Sequence, residues 1–309
     1  MVDVSSNNPR VSVIMANFNN GRFIEDAIKS VMSQTYTNWE IVIVDDGSTD
    51  NSRDVLNRYI HQENIKIYFN ESNRGVGYTK RKCVDKSFGD LCAILDTDDI
   101  LSENALETVV KAFAANPDAV MVVGGFEYYD ITMENIIRQK YYKKNTSDKS
   151  ILEYGFAFGW DVFSRKAYYQ TEGFDEKQTA DDQDLYFKLE EVGKILFLDK
   201  YLYKYRQHGE GISQKFKGLN VFRDHLIAIE NANKRRRKSG DRRIIDPKKL
   251  RSRWEEYYIR KTHKFFFDKE YKNGYRTLWK SFRVCPSSRL FLKLNLLLHP
   301  LKIWKVEKL

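Results

Sequence analysis

The sequence predicts an α/β fold, a mixed and mostly parallel sheet flanked by helices, with a helical C-terminal extension. Three observations carry this. Short Val- and Ile-rich runs alternate with amphipathic stretches through the first half of the chain, the pattern of strands joined by crossover helices. Two of those runs stop abruptly on aspartates, at VDDGSTD and LDTDD. Beyond about residue 214 the apolar residues fall at helical spacing among many basic and aromatic ones.

Taken in order, VSVIMA (11–16) is a buried strand, and FIEDAIKSVMSQ (23–34) places Ile24, Ala27, Ile28 and Val31 on one helical face. EIVIVDD (40–46) is the second strand, and GSTDNS caps the helix that follows. IKIYF (65–69) is the third strand and VGYTKRKCVDKSF a helix. DLCAIL (90–95) is a fourth strand whose carboxyl end delivers Asp96, Asp98 and Asp99. TADDQDLYFKLEEVG (179–193) sets Leu185, Leu189 and Val192 at helical spacing behind its acids, and LFLDKYLYKYRQHGEGIS (196–213) returns as a strand and a polar loop.

Composition narrows the function. At 309 residues, 42% hydrophobic and 14% aromatic, the chain can bury a full core and is no disordered tail. Cys83, Cys92 and Cys285 are odd in number and unrelated in spacing, which suggests neither a disulfide framework nor a thiolate zinc site and points to a reduced, cytoplasmic compartment. MVDVSSNNPR has no apolar core segment, and no window approaches the roughly 18 apolar residues of a spanning helix, so neither secretion by that route nor membrane integration is expected. The formal charge of +9 is localised: Lys234 to Arg253 holds eleven Lys or Arg against Asp241 and Asp246, and the rest of the chain is neutral. Such a block is either a solvated linker or an attractor of nucleic acid or of an anionic membrane surface.

Like charges crowded together destabilise a site unless a cation or exposure to water relieves them. One acidic strand end is readily a turn or a helix cap. Two, Asp45/Asp46 and Asp96/Asp98/Asp99, would face one crevice if their strands are neighbours, at the carboxyl ends of strands where open α/β sheets bind ligands.

VSVIMANFNNGRFIEDAIKSVMSQTYTNWEIVIVDDGSTDNS, with NRGVGYTKRK and LDTDD, closely resembles the nucleotide-sugar domain of glycosyltransferase family 2, inverting enzymes of the GT-A fold. The resemblance covers roughly residues 10–213, and implies a domain over 1–213 followed by a basic, aromatic-rich helical region over 214–309. It implies that Ala16, Asn17 and Phe18 wall the nucleobase and ribose, that Asp46 takes the base N–H of a uridine-type donor with Asp45 beside it, and that Arg81 approaches the nucleotide. LDTDD resembles the DxD element, with Asp98 a direct ligand of a divalent cation, Asp96 a ribose or water-mediated metal contact and Asp99 a supporting acid. Oxygen ligands suit Mg²⁺ or Mn²⁺, which would stabilise the charge of the departing nucleoside diphosphate.

A base must also take the acceptor hydroxyl's proton. The resemblance puts it on Asp182 of TADDQDL, with Asp181 where a Glu is more usual; spacing alone leaves these acids equally able to cap a helix. Gly159 and Trp160 are candidate acceptor contacts, since an aromatic face packs on a pyranose, although a tryptophan is often simply core. His208 resembles a family position near the diphosphate and metal, where an imidazole would favour Mn²⁺. Arg206 and Ser213 are weaker candidates for phosphate.

At the C-terminus, PSSRLFLKLNLLLHPLKIWKVEKL places Leu290, Leu294 and Leu297 on one face and Arg289 and Lys293 on another, as in an interfacial helix or an ordinary helical appendage. The expected partners are a nucleotide-sugar donor and a saccharide or lipid-linked acceptor in surface polysaccharide synthesis, with a peripheral place on the inner face of the membrane. A nucleic-acid-binding protein would leave the acidic crevice unexplained. A sugar-phosphate nucleotidyltransferase wants a glycine-rich phosphate loop after strand one, and ANFNNGRF is a poor one.

Overall fold

In a computed structural model the described residues are 8–140, 150–154, 159–176, 181–209 and 219–286, together with 289, 293 and 296; residues 153, 154 and 181 are described in backbone only. The chain forms two compact units, Met1–Gln214 and Lys215–Leu309.

In the first unit the described strands are β1 (Val11–Asn17), β2 (Trp39–Asp45), β3 (Ile65–Phe69), β4 (Leu91–Ile94), β5 (Ile100–Leu101), β6 (Ala119–Tyr129), β7 (Ile136–Lys140), β8 (Trp160–Ser164) and β9 (Lys194–Arg206). The helices are α1 (Ile24–Met32), α2 (Ser52–Asn57), α3 (Val76–Asp85), α4 (Ala105–Ala115), α5 (Ile151–Tyr154), α6 (Arg165–Tyr168) and α7 (Asp181–Val192). The strands join in one sheet ordered β3-β2-β1-β4-β8-β6-β9-β5, with β7 on β6. The first four are mutually parallel, and β8 then pairs antiparallel with both β4 and β6.

The core explains the helix faces. Ile24, Ala27, Ile28 and Val31 of α1 are fully buried in one cluster with Val11, Val13 and Met15 of β1, Ile41 and Ile43 of β2, and Leu91 and Ala93 of β4. At about 25 cal/mol per Å² of apolar area, burying each such Ile or Val side chain contributes about 1.5–3 kcal/mol.

Register then places the acids. Asn17 pairs with Asp45, so β1 and β2 end level, and β4 runs beside β1 as far as Ile14↔Ile94. The two acidic strand ends are therefore not hydrogen-bonded neighbours: β1 lies between β2 and β4, and the clusters flank its exit. After Asp99 the chain turns back as the two-residue β5, which pairs antiparallel with the far end of β9 at Ile100↔Lys204 and Leu101↔Tyr203.

The second unit contains α8 (Leu219–Ser239), α9 (Pro247–Phe267) and α10 (Tyr271–Val284). Asp246 caps α9, its carboxylate accepting from the Lys248 backbone N–H at 2.7 Å ahead of a proline in the first turn. Ile259, Phe266, Leu278 and Leu296 form one cluster of its core, and a fully buried Lys293–Glu255 pair at 2.5 Å lies in the same unit. The basic block is no loose linker. It is the end of α8, a turn and the start of α9, with Arg236 fully buried and donating to the Arg243 carbonyl at 2.7 Å, and Arg243 paired with Asp241. Among the described residues no helix is long and apolar enough to cross a membrane. Ser213, Leu290, Leu294 and Leu297 lie outside the described residues.

Candidate active site

The β1–β2 exit holds its acids by hydrogen bonds. Asp45 Oδ2 accepts from Asn17 Nδ2 at 2.7 Å and from Ser48 Oγ at 2.6 Å, while its Oδ1 accepts from the Ser48 N–H at 3.0 Å. Asp45 thus fastens the turn after β2, as a turn aspartate does. Asp46 Oδ1 accepts from Asn70 Nδ2 at 2.7 Å and the Arg74 N–H at 2.9 Å; Oδ2 accepts from the Gly75 N–H at 2.9 Å, which leaves it a second lone pair. Asn17 is buried, Ala16 partly so, and Phe18 is 44% exposed.

At the end of β4 the three aspartates separate into different jobs. Asp99 is 1% exposed; Oδ2 accepts from Tyr203 OH and Oδ1 from the Arg206 N–H, each at 2.7 Å. Burial, then the neighbouring Asp98 and Asp96 charges, pushes its carboxyl well above the usual carboxylate range. Asp99 therefore clamps β9 to the β4–β5 turn, which corrects its placement in the cation set. Asp96 is exposed. Desolvation, against the lowering charge of Lys80 and with the charges of Asp98 and Asp182, raises its carboxyl to about 6.

Asp98 meets His208. Strand β9 carries the chain past β5, and His208 Nε2 stands 2.9 Å from Asp98 Oδ2, with the imidazole packed on Phe23 at 4.9 Å between ring centroids. The imidazole side chain is 2% exposed and the Asp98 side chain 18%. Arg206 fixes this corner: it donates to the Asp98 carbonyl at 2.8 Å, the Ile131 carbonyl at 2.7 Å and Asp26 Oδ2 at 2.8 Å. Its guanidinium is committed within the protein, which corrects its reading as a phosphate contact. Two adjacent ligands of an octahedral cation held at about 2.1 Å lie about 3 Å apart, so the Asp98–His208 separation fits a shared divalent ion. Among the described residues no group of three or more His, Cys, Asp or Glu side chains forms a complete cage. A cation held here would need oxygens from a ligand.

The run Lys80–Arg81–Lys82 on α3 sends its charges three ways, as successive residues spaced about 100° around a helix must. Lys82 donates to Asn70 Oδ1 at 2.6 Å, supporting the amide that holds Asp46. Arg81 donates to the Glu172 and Phe174 carbonyls, so it holds the loop before α7. Lys80 is the residue aimed at the acids. It is 4% exposed, and its Nζ lies 2.5 Å from Asp182 Oδ1. Sequence reasoning passed it over because three basic residues in a row look equivalent until the helix phase is known.

Among the acids of α7 with described side chains, Asp182 is partly exposed and faces Lys80. Asp184 is buried against Lys188 at 2.6 Å, and Glu190 accepts from Ser150 Oγ at 2.6 Å and the Ile151 N–H at 3.0 Å. The Asp182 side chain is 39% exposed, and its Oδ2 carries no hydrogen bond among the described residues. The Asp181 side chain is outside the described residues. Beside this pair Asp161 is buried and receives the Tyr186 hydroxyl; burial, then the Asp182 charge, pushes its carboxyl well up against the opposing charge of Lys80.

Trp160 corrects another expectation. It is 2% exposed, part of the main core, and its indole N–H donates to the Ile94 carbonyl at 2.7 Å. Its faces are occupied by protein, so it supports the end of β4 and offers no platform to a sugar. Gly159 has a similar structural use: a Cβ there would stand 2.2 Å from Val123 Cγ1 and 2.6 Å from the Gly124 carbonyl oxygen, so the glycine lets the chain close onto β6.

Comparison with known proteins bears on the family and the fold. The profile of Glycosyl transferase family 2 matches residues 12–171, just over half of the chain. A hyaluronan synthase of Pasteurella multocida is 27% identical over 240 residues, 72% of this chain but 23% of that protein, so the chain spans under a quarter of that relative's length. Among solved structures, S. aureus TarS 1-349 in complex with UDP-GlcNAc superposes with a TM-score of 0.65 at 17% identity, covering 89% of this chain and 81% of that one. Mannosyltransferase PcManGT of Pyrobaculum calidifontis, in complex with GDP-Man and Mn²⁺, gives 0.58 at 18% identity over 74% and 65% of the two chains. At these identities the structures share a fold with this protein.

Proposed function

The chain belongs to glycosyl transferase family 2 and has the GT-A fold; from that premise we propose a metal-dependent, inverting transfer from a nucleotide-sugar donor to a saccharide or lipid-linked hydroxyl in surface polysaccharide synthesis. The observation that carries the metal dependence is the Asp98 Oδ2–His208 Nε2 separation of 2.9 Å, between residues 110 apart in the chain. Asp98 and His208 would hold a Mn²⁺ or Mg²⁺ ion, with Mn²⁺ favoured by the imidazole. Such an ion neutralises charge on a leaving diphosphate.

The donor lies against the β1 exit, with Phe18 at the base, the ribose near Asp96 and the free lone pair of Asp46 Oδ2 toward a base N–H. That acceptor suits the N3–H of uracil and favours a UDP-linked donor, the kind of ligand bound in the TarS complex. Asp182 is the base. Lys80 fixes Oδ1, and Oδ2 takes the proton of the acceptor hydroxyl as its oxygen attacks the anomeric carbon from the face opposite the diphosphate. The carbon–oxygen bond to the phosphate breaks, its electron pair leaves with the nucleoside diphosphate, and the anomeric configuration inverts. Asp182→Asn tests the assignment: donor binding should persist while transfer falls on the order of 10³-fold. Transfer at the wild-type rate would place the base elsewhere.

A further inference from the structure

The exposed face of α10 is unlike the rest of the second unit. Gly274, Thr277, Leu278 and Ser281 are its buried side. Opposite them the helix carries Lys272, Arg276, Lys280 and Arg283 and no acid along its length; Asp268 and Glu270 stand in the turn before it. All four cations are exposed, and none forms an ion pair among the described residues. Between them sits Trp279, 60% exposed, with Tyr271 38% exposed a little over two turns earlier.

Helix phase sorts these residues into two adjoining stripes. At about 100° per residue the four cations fall within an arc of roughly 80° on one side of Trp279, and the exposed Tyr271 lies roughly 80° round on the other, beyond Tyr275, which packs on Phe266 in the core. A cationic stripe beside an aromatic one, meeting at a tryptophan, is the arrangement of a helix lying in a lipid interface: the aromatic rings enter the headgroup region and the long cationic stems reach lipid phosphates. A single convex helix offers no groove for a duplex, and uncovered aromatic area gains from apolar surroundings that a phosphate backbone does not supply.

We propose that this face docks the protein on an anionic phospholipid surface, with Trp279 entering the headgroups and Lys272, Arg276, Lys280 and Arg283 on the phosphates. The assignment differs from the sequence expectation, which looked to the 234–253 block, partly consumed in structural contacts such as that of Arg236, and to the 286–309 stretch, most of which lies outside the described residues. It also keeps an enzyme of lipid-linked acceptors beside its substrate.

Flotation of the full chain with vesicles tests the proposal. Phosphatidylcholine vesicles containing phosphatidylglycerol should carry the protein at low salt at least about tenfold better than phosphatidylcholine alone, since each basic residue near an anionic surface contributes about fivefold. Reversing all four charges (K272E, R276E, K280E, R283E) should reduce binding by at least about 600-fold, four fivefold contributions lost. Trp279→Ala should weaken it by about tenfold with the charge intact. All five positions are solvent-facing, so both variants should melt at the wild-type temperature. Equal flotation with neutral and anionic vesicles, or undiminished binding by the folded variants, would overturn the proposal. So would a single-stranded oligonucleotide that strips the protein from vesicles and binds through the same five residues, since nucleic acid would then be the partner.

Discussion

Lys80 and Arg81 differ by one position and by the whole of their roles, because a step of one residue on a helix turns the side chain by about 100°. The acids at strand ends were legible as residue types, since clustered like charges need a reason to exist, but their division of labour was not: which aspartate clamps and which stays open depends on partners such as Tyr203 and Arg206 from a strand a hundred residues away. Trp160 was misread for the same reason, burial being a property of the packed sheet. Two expectations follow at this scale. Lys80→Met should lower the transfer rate on the order of a hundredfold by releasing Asp182, whereas Arg81→Met should act mainly on the melting temperature; steady-state kinetics and thermal melts separate the two. Asp161 has its folded pKa raised by burial, so its stabilising contribution is full below the ordinary carboxylate range and is lost as pH rises through the raised value. Asp161→Asn should therefore gain melting temperature relative to wild type on going from pH 4.5 to pH 8, and a difference that does not change with pH would count against a buried neutral acid.

Among the elements, α3 does more than its sequence announces. Gly77 lets it approach the loop before α7 so closely that a Cβ would stand 2.2 Å from the Asp175 carbonyl oxygen, and Arg81, four residues on, ties down the carbonyls of Glu172 and Phe174. That docking is what brings Lys80 to Asp182. Gly77→Val should cost about 1–3 kcal/mol as overpacking, a fall of about 2–12 °C in a domain of this size, with a loss of transfer larger than the stability change accounts for. Although α4, β6, β7 and β8 went unread, the elements of the parallel half were readable from periodicity, β3 to the residue. The two-residue β5 was not, because its pairing with β9 is a long-range choice that no local pattern records. It is β5, however, that turns the chain so that His208 reaches Asp98.

At the scale of the molecule, the sheet's parallel half and its crevice followed from the alternation of runs, while the meaning of the basic block did not, since charge counts do not show that Arg236 is buried. Cys83 and Cys92 are fully buried with thiols pushed up to about 12 by burial, and Cys285 is only half-buried. A thiol reagent at neutral pH should titrate Cys285 alone in the native protein and all three after denaturation. The central claim is that transfer depends on a cation shared by Asp98 and His208. Its most direct test is release of nucleoside diphosphate from a panel of nucleotide-sugars with an acceptor, measured with Mn²⁺ and after EDTA, in wild type, Asp98→Asn and His208→Ala. Wild-type turnover that disappears on chelation and returns with Mn²⁺, with both variants slow at every Mn²⁺ concentration, is the predicted result; turnover indifferent to EDTA would contradict it.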